Sequence, residues 1–317
     1  MPQLLDEGEE MKILITADWH IKGERPICRL DDDWIASQRR TIQEIRNIFE
    51  SNLCDQIWIL GDLFDAPKCS TAAVNMLIGE LKKFPSNSVK ILCGNHDLKD
   101  HNYGNLEECS IGTLKHLFAD VPSEIQDSFG CLTKVSAKPF GLDEETTDAN
   151  IVCTHQLTFP NAEARPIEDC GVLAQDLLDK WRSANLIFTG DYHHAFVYEF
   201  KDVVKGKNRY VVNPGCINIQ KADELDYEPS VVIWNSSGEN SFEKFYLDPQ
   251  CENCTRNHIE AREEKENRLA EVVETIRGGV EITLDFDSNL EKAVRKTDAA
   301  IIGAYESVKQ TIDGDVK

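Results

Sequence analysis

The sequence lacks an apolar segment long enough to cross a membrane. A transmembrane helix needs about 20 consecutive apolar residues, and no run in this 317-residue chain comes close. An export signal is also missing, because the first residues, MPQLLDEGEE, are acidic where a signal peptide is basic and then apolar. We therefore expect a cytoplasmic protein that makes no membrane contact.

The spacing of a disulfide framework is absent as well. The eleven cysteines are scattered, and several lie within apolar segments, among them Cys93, Cys153 and Cys216. An odd number of scattered cysteines without an export signal is typical of reduced thiols in a cytoplasm.

Positive charge is scarce. The chain has 34 Lys and Arg against 56 Asp and Glu, for a net charge of −22. Proteins that bind nucleic acid over a broad face usually carry a basic surface. Any contact with DNA is therefore expected to be local, metal-mediated or supplied by a partner. The alternative is that the acidic charge only aids solubility.

What the chain does contain, between residues 11 and 250, is an alternation of short apolar runs and amphipathic stretches. Residues 34–52 and 72–84 carry apolar side chains at helical spacing. The apolar runs have the length and composition of buried strands and end in Gly, Asp, Asn or His. They are KILITA (12–17), QIWILG (56–61), VKILCG (89–94), NIVCTH (150–155), NLIFTG (185–190), RYVVNPG (209–215) and SVVIW (230–234). This alternation predicts an α/β fold.

The composition changes after Asp248. Residues 257–277 are strongly charged, residues 280–286 form a short strand pattern, and Ser288 with Glu291 makes a capping box that starts a last helix. We predict an N-terminal extension (1–10), a main domain (11–250) and a small α-rich C-terminal appendage (251–317).

Five polar motifs stand at or just after the carboxyl ends of predicted strands. They are Asp18-Trp19-His20, Gly61-Asp62-Leu63-Phe64-Asp65, Gly94-Asn95-His96-Asp97, His155 and Gly190-Asp191-Tyr192-His193. In open α/β sheets the functional crevice lies outside these strand ends. We therefore expect the motifs to meet although they are far apart in the sequence.

The side-chain types suit a pair of divalent cations. Carboxylate, imidazole and amide ligands without thiolate favour Mn²⁺, Fe²⁺ or Zn²⁺. Two cations about 3.5–4 Å apart can clamp a reacting phosphate ester and acidify a water, and Asp62 fits a carboxylate shared between them. A single D-x-H or a single histidine after a strand is more often structural, but the complete set in this order has no evident packing reason.

In this order the motifs resemble those of the calcineurin-like metallophosphoesterase superfamily, over residues 11–250. The resemblance implies a four-layer fold, a sandwich of two sheets flanked by helices. It also implies a first metal held by Asp18, His20, Asp62 and His193, and a second held by Asp62, Asn95, His155 and residue 191. His96 is then the catalytic histidine that protonates the leaving oxygen, and Asp97 orients it.

The fifth motif departs from the pattern G-H-x-H of that superfamily, because Asp191 stands where a histidine is usual. A carboxylate makes the second site harder, which favours Mn²⁺ or Mg²⁺ over Zn²⁺. We predict two Mn²⁺ ions, with Mg²⁺, Fe²⁺ and Zn²⁺ as alternatives. The other interpretation of Asp191 is a weak second site.

Within the superfamily the chain resembles the SbcD-type DNA-repair exonucleases, especially small versions encoded by bacterial viruses. The segments that carry this resemblance are ADWH, GDLFDAP, GNHD, the turn Asn213-Pro214-Gly215, residues 25–38 and the tail VEITLDFDSNLEKAV. It implies DNA as a partner, docking of an SbcC-like SMC-type ATPase on the tail, and a possible homodimer. Asp65 stands where many cellular relatives have a histidine.

Arg25 and Arg29 flank the first metal loop. With Asp65, they are the predicted substrate-binding residues, since arginine contacts phosphate backbones. The alternative is that the arginines form ion pairs with Asp31 to Asp33.

Three functions follow from these observations. The leading prediction is a metal-dependent DNA phosphodiesterase, an exonuclease or endonuclease of recombination, repair or replication. A small-molecule phosphoesterase acting on a cyclic nucleotide or phosphomonoester is the second, and a non-catalytic scaffold is the third.

Overall fold

The computed structural model describes residues 11–126, 132–142, 148–167, 170–202, 206–236, 241–248, 250, 253–257, 259 and 264–270. The predicted extension 1–10 and most of the predicted appendage 251–317 lie outside these residues. The chain divides into two compact units, Met1–Thr255 and Arg256–Lys317. In the second unit residues 264–270 are helical, and the fold below is that of the first unit.

The first unit alternates strands and helices, as the apolar pattern predicts. Short 3-10 helices span Lys99–His101, Tyr103–Glu108 and Ala222–Glu224. In the described residues the strands and α-helices are, in chain order, β1 (Lys12–Thr16), α1 (Trp34–Ser51), β2 (Gln56–Leu60), α2 (Thr71–Leu81), β3 (Val89–Leu92), α3 (Ser110–Lys115), β4 (Ala119–Asp120), β5 (Glu124–Gln126), β6 (Leu132–Lys138), β7 (Ile151–Thr154), β8 (Thr158–Phe159), β9 (Val172–Leu173), α4 (Ala174–Lys180), β10 (Leu186–Thr189), β11 (Phe196–Asp202), β12 (Lys207–Asn213), β13 (Ser230–Asn235) and β14 (Ser241–Tyr246).

Two six-stranded sheets organise the unit. The first has the order β14-β13-β1-β2-β3-β4, and the second has the order β11-β12-β10-β7-β6-β5. In the first sheet the neighbouring strands β1, β2, β3 and β4 pair in parallel. In the second sheet the neighbouring strands β6, β7, β10 and β12 do the same. The strands that carry the five motifs thus lie in the parallel parts of the two sheets, where carboxyl ends share one edge.

The sheets are packed face to face with helices outside, because their strands are apolar on both faces. Along β1, Leu14 faces an outer core shared with α1 and α2, whereas Ile13 and Ile15 face an inner core shared with the second sheet. Trp181, which follows α4, belongs to a third core that covers the other face of the second sheet. This confirms the predicted four-layer α/β sandwich.

Side-chain caps set where the first two helices begin. Asp33 accepts a hydrogen bond from Ala36 N (2.9 Å), and Ser70 accepts one from Ala73 N (3.3 Å). Both helices lie where residues 34–52 and 72–84 predict them. Among the described residues, none of the helices has the length and apolar character that crossing a bilayer requires.

Candidate metal centre

The loops that follow β1, β2 and β10 hold their polar residues in an uncommon backbone conformation. Asp18 (φ 52°), His20 (φ 45°), Asp62 (φ 49°) and Asp191 (φ 74°) all have positive φ. Such a conformation costs a non-glycine residue about 1–3 kcal/mol, and it is concentrated at functional sites. Backbone hydrogen bonds from Asp18 N to Gly61 O (3.1 Å) and from His20 N to Asp62 O (2.9 Å) join the first two loops.

Two glycines allow these loops to approach closely. A Cβ at Gly61, which has φ of 96°, would lie 2.2 Å from Nδ1 of His155, and a Cβ at Gly94 would lie 2.2 Å from Oδ1 of Asp62. Real Cβ atoms do not make such contacts. The glycines of the second and third motifs are therefore required for the approach of the polar side chains, not only for the turns.

Asp18, His20 and His193 form a first group of ligand atoms, all within 4.8 Å of one another. Nε2 of His20 lies 3.1 Å from Nε2 of His193. Both oxygens of the Asp18 carboxylate accept a hydrogen bond from the backbone N–H of Asp191, at 3.0 and 3.1 Å. The loop that carries the fifth motif, here called the fifth loop, therefore fixes the carboxylate of Asp18 in the loop that carries the first motif.

Glu224 fixes the orientation of His193, and sequence reasoning missed it. Its Oε1 lies 2.7 Å from Nδ1 of His193. Because a carboxylate accepts, Nδ1 carries the proton and the lone pair of Nε2 is directed at the centre. Glu224 has 2% exposure and also accepts from the backbone N–H groups of Gln220 and Lys221. No motif marks this glutamate, which lies 31 residues from its histidine.

Asp62, Asn95 and His155 form a second group. Nδ1 of His155 donates to the carbonyl oxygen of Leu60 (2.7 Å), so its Nε2 is the ligand atom. That Nε2 lies 2.9 Å from Oδ1 of Asn95 and 3.2 Å from Oδ2 of Asp62. Asp18, Asp62 and His155 also bring one ligand atom each within 4.8 Å of the others.

Asp62 lies between the two groups. Its Oδ2 is 3.2 Å from Nε2 of His155 and 3.8 Å from Nε2 of His20. Its Oδ1 accepts from the backbone N–H of His96 (2.8 Å). This is the position expected of a shared carboxylate.

Asp191 borders the second group. Its Oδ1 lies 4.0 Å from Nε2 of His155, and its side chain is 23% exposed. The carboxylate of Asp191 is therefore next to the second group. Its distance from Nε2 of His155 is longer than those of the Asn95 oxygen (2.9 Å) and the Asp62 oxygen (3.2 Å). Its assignment as a metal ligand stays a prediction.

Burial and mutual charge shift the pKa values of the cluster. Burial raises the pKa of Asp18 to about 7. Burial alone would also raise the pKa of Asp62, but the charges of His155 and His20 outweigh it and hold that pKa below its ordinary value. Conversely, burial would lower the pKa of His155, and the carboxylates of Asp62 and Asp18 raise it well above the usual range.

These residues fit divalent cations. Buried Oδ2 of Asp62 and Nδ1 of His20 make no hydrogen bond to any described residue. Nε2 of His155 faces the oxygens of Asn95 and Asp62, so either a proton on Nε2 or a cation among the three atoms is needed to prevent their repulsion. Carboxylate, imidazole and amide ligands match the borderline to hard cations Mn²⁺, Fe²⁺ and Zn²⁺.

His96 lies beside the first group. Its ring is 4.9 Å from the ring of His20, edge to face. Its Nδ1 lies 3.0 Å from the backbone oxygen of Asp65 and therefore donates to it. One ring atom of His96 falls within 4.8 Å of ligand atoms of both His20 and Asp62, and Nε2 is the ring nitrogen that the contact with Asp65 leaves available.

Asp97 does not orient the ring of His96, and that prediction is wrong. Its buried carboxylate accepts from the backbone N–H groups of Phe64 (2.8 Å), Leu63 (3.3 Å) and Gly94 (2.9 Å). Burial raises its pKa to about 7. Asp97 thus connects the loop of the second motif with that of the third. The backbone oxygen of Asp65, and not Asp97, accepts the hydrogen bond that orients the ring of His96.

Asp65 faces the centre through its side chain as well. Its Oδ1 is 3.6 Å from Nδ1 of His20, and its Oδ2 is 3.0 Å from Nζ of Lys22. The carboxylate therefore lies near a metal-site histidine, but at a distance longer than that of a hydrogen bond. Its predicted contact with substrate stays a prediction.

Arg29 is not a substrate-binding residue. It has 2% exposure, and its guanidinium donates to both oxygens of Asp31, from Nε at 2.7 Å and from Nη2 at 3.0 Å. The alternative of an ion pair with Asp31 is correct, because the loop folds inward there. Arg25 is exposed, and its Nη1 donates to the backbone oxygen of Asp31 (2.8 Å), so its phosphate contact stays a prediction.

The chain was compared with curated protein sequences and with solved structures. No curated protein sequence matches the chain significantly. Solved structures resemble it weakly. An archaeal phosphodiesterase is 15% identical over 75% of this chain and all of its own, with a TM-score of 0.40. A metallophosphoesterase from Sphaerobacter thermophilus is 16% identical over 76% of this chain and 90% of its own, with a TM-score of 0.38, and a dimetal phosphatase from Danio rerio is 10% identical over 76% of this chain and 99% of its own, with a TM-score of 0.47.

The sequence profile of the family described as "Calcineurin-like phosphoesterase" matches residues 11–195. That range is more than half of the chain and includes each of the five motifs. The match and the converging acid, imidazole and amide ligands lead to one conclusion: the chain belongs to the calcineurin-like phosphoesterase family of metal-dependent phosphoesterases.

Proposed function

We propose that this chain is a phosphodiesterase that hydrolyses DNA with two divalent cations, Mn²⁺ being the proposed metal. The observation that carries the proposal is the convergence of the two ligand groups on Asp62, which lies 3.2 Å from His155 and 3.8 Å from His20. A shared carboxylate between two groups of imidazole and oxygen ligands is what two adjacent cations require.

Each proposed cation has a set of four ligands. Bound there, divalent cations supply charge neutralisation at the phosphate and a water acidic enough to ionise near neutral pH. The first set is Asp18, His20, Asp62 and His193, and the second is Asp62, Asn95, His155 and Asp191. Glu224 and Leu60 O hold His193 and His155 in the tautomer that directs Nε2 to the centre.

His96 is the proposed proton donor to the leaving oxygen. Its Nδ1 donates to Asp65 O, so the ring can rotate only by breaking a hydrogen bond of 3.0 Å. Nε2 is the remaining nitrogen, and a proton held there can pass to the departing sugar oxygen. A positioned general acid of this kind contributes roughly 10²–10⁴-fold to the rate.

The DNA substrate is supported by the resemblance to SbcD-type exonucleases and by local positive charge. Lys22 pairs with Asp65 at 3.0 Å, and Lys221 lies 3.8 Å from Glu224, with 65% of its side chain exposed. Both lysines therefore pair with carboxylates that lie near metal-site histidines, Asp65 at 3.6 Å from His20 and Glu224 at 2.7 Å from His193. Such charges can contact the phosphates that flank the cleaved bond, and an SbcC-like ATPase or a second copy of the chain is the proposed source of further DNA contacts.

A small-molecule phosphoesterase is the second candidate, and one observation favours it. The net charge of −22 disfavours a long polyanion more than a cyclic nucleotide or a phosphomonoester. Such a substrate needs only the centre itself and no basic track.

A comparison of substrates tests the proposal. Purified chain with Mn²⁺ is assayed on linear DNA, 2′,3′-cyclic nucleotides and a bis-aryl phosphate, with Asp62→Asn as the inactive control. Release of nucleotides from DNA that Asp62→Asn loses supports the nuclease. Hydrolysis of the small substrates alone would establish the second candidate, and no hydrolysis of any of them would favour the scaffold.

A further inference from the structure

Aromatic rings flank the metal-site histidine of the fifth loop. His194 packs against Tyr227 with ring centroids 3.6 Å apart and planes inclined by 49°, and the ring of Tyr227 is 6.5 Å from that of His193. In the same loop, the ring of Tyr192 packs on Phe159 at 4.9 Å and on His194 at 5.2 Å. The catalytic role assigned to this loop uses only His193 and Asp191, so the neighbouring rings need another explanation.

The fifth loop is held rigidly by the turn Asn213-Pro214-Gly215. The amide of Asn213 donates to the backbone oxygens of Tyr192 (2.5 Å) and His194 (3.3 Å). The backbone N–H of Cys216 donates to the oxygen of His193 (3.1 Å). His194 is therefore fixed relative to the metal-site histidine that precedes it, while its own side chain is exposed.

Tyr227 is fixed to the same centre by a second route. Its backbone N–H donates to the backbone oxygen of Glu224 (2.8 Å), and the carboxylate of Glu224 is bound to His193. The amide of Gln220, in the same segment, donates to the backbone oxygen of His20 (3.0 Å). Two separate chain segments thus place two rings in contact at the border of the first ligand group.

We propose that His194 and Tyr227, here called the aromatic pair, form a stacking surface for a nucleobase next to the phosphate that is cleaved. The inference rests on the proposed function and narrows it to nucleotide substrates. Every base has a flat π-face, so stacking on aromatic side chains binds nucleotides without a sequence code. It also needs no positive charge, which suits a chain of net charge −22.

The test compares one diester with and without bases. The substrates are a thymidine dinucleotide and the same sugar–phosphate diester lacking both bases, each with the Mn²⁺-loaded protein. In His194→Leu and Tyr227→Leu we expect KM for the dinucleotide to rise by about 5- to 150-fold, the value of stacking one base. KM for the base-free diester should stay the same, and Tyr227→Phe should retain the wild-type KM for both.

The readout is KM for the dinucleotide divided by KM for the base-free diester, measured for each variant. A change in metal content affects both KM values alike and therefore leaves this ratio unchanged. A matched control is Tyr246→Leu, which removes an exposed tyrosine on the edge strand β14. Equilibrium binding of thymidine monophosphate, measured by calorimetry, should weaken in the two leucine variants by the same factor.

An unchanged ratio in both leucine variants would overturn the aromatic pair, as would a wild-type protein that cleaves the two diesters with equal KM. In either case the phosphodiesterase itself would still stand. Failure of the wild-type protein to cleave either diester would instead count against the proposed function. An aryl diester whose KM rises in the leucine variants as much as that of the dinucleotide would replace the nucleobase with any aromatic group and overturn the nucleotide assignment.

Discussion

The carboxylate of Glu224 accepts a hydrogen bond of 2.7 Å from Nδ1 of His193. This contact connects the fifth motif with a 3-10 helix residue 31 positions later, and it decides which nitrogen of the histidine is available to a cation. The centre therefore depends on a residue outside the five motifs.

Replacing Glu224 by alanine should weaken metal binding. We expect the affinity for the first Mn²⁺ to fall by about 10- to 100-fold, because His193 loses the partner that fixes its tautomer. Calorimetric titration with Mn²⁺ measures this, and Glu228→Ala, at an exposed glutamate of the same segment, is the control. Equal affinities in the two variants would show that Glu224 has no part in orienting His193.

His96→Ala should lower turnover sharply and leave the metal content intact. His96 is assigned to the substrate, so its loss should lower kcat by roughly 10²–10⁴-fold. Elemental analysis and a steady-state assay measure the two quantities, and His116→Ala, at a side chain with 69% exposure, is the control. Full activity in His96→Ala rules out the role, and loss of bound metal would move His96 into the ligand set.

Asp191→His should tighten the second metal site. Oδ1 of Asp191 lies 4.0 Å from Nε2 of His155, and an imidazole is the more favourable ligand for a borderline cation such as Zn²⁺. Zn²⁺ affinity should therefore rise more than Mg²⁺ affinity, as competition titrations measure. Unchanged stoichiometry and affinity would count against any ligand at position 191.

Gly94→Ala should disrupt the centre, whereas Gly79→Ala should not. A Cβ at Gly94 would meet Oδ1 of Asp62 at 2.2 Å and its backbone nitrogen at 2.3 Å, but a Cβ at Gly79 meets nothing within 4 Å. Gly79 lies in α2, where alanine is the better helix former by about 1 kcal/mol. Thermal unfolding should show a lower Tm for the first variant and an equal or higher Tm for the second. A Gly94→Ala protein with normal Tm and metal content would contradict the packing described.

Metal affinity should rise with pH. The carboxylates raise the pKa of His155 well above 6.5, and burial raises the pKa of Asp18 to about 7. Both groups then carry protons at pH 6 in the metal-free protein, and a cation must displace them. We expect the apparent Mn²⁺ affinity to be lower at pH 6 than at pH 8, with protons released on binding. Calorimetry in buffers of different ionisation enthalpy counts them, and binding without proton release at pH 6 would contradict this charge arrangement.

The sequence predicted the first two helices and seven of the described strands, namely β1, β2, β3, β7, β10, β12 and β13, because these depend on local apolar pattern. It did not predict β4, β5, β6, β8, β9, β11 or β14, which lack such a pattern. Apolar runs that end in Gly-Asp or Gly-Asn place polar residues at strand ends, as at Asp62 and Asn95. The partners of those residues could not be predicted in this way. Glu224, for example, lies in the 3-10 helix Ala222–Glu224 that follows β12, and the fold alone brings it to His193.

The errors have the same physical origin. Asp97 follows His96 directly in the sequence, but neighbouring side chains on a loop point in different directions, and the backbone N–H groups of Leu63 and Phe64 bind its carboxylate instead. Arg29 is adjacent to the metal loop in sequence, yet burial against Asp31 satisfies its charge. Proximity along the chain did not indicate contact in either case.

The most direct test of the account is the number of cations that the folded chain binds. Mn²⁺-loaded wild-type protein, dialysed and analysed for metal, should hold two ions per chain, and Asp62→Asn, which alters the carboxylate shared by both groups, should lose at least one of them together with phosphodiesterase activity. A wild-type chain that is folded by circular dichroism but binds no divalent cation would contradict the dinuclear centre.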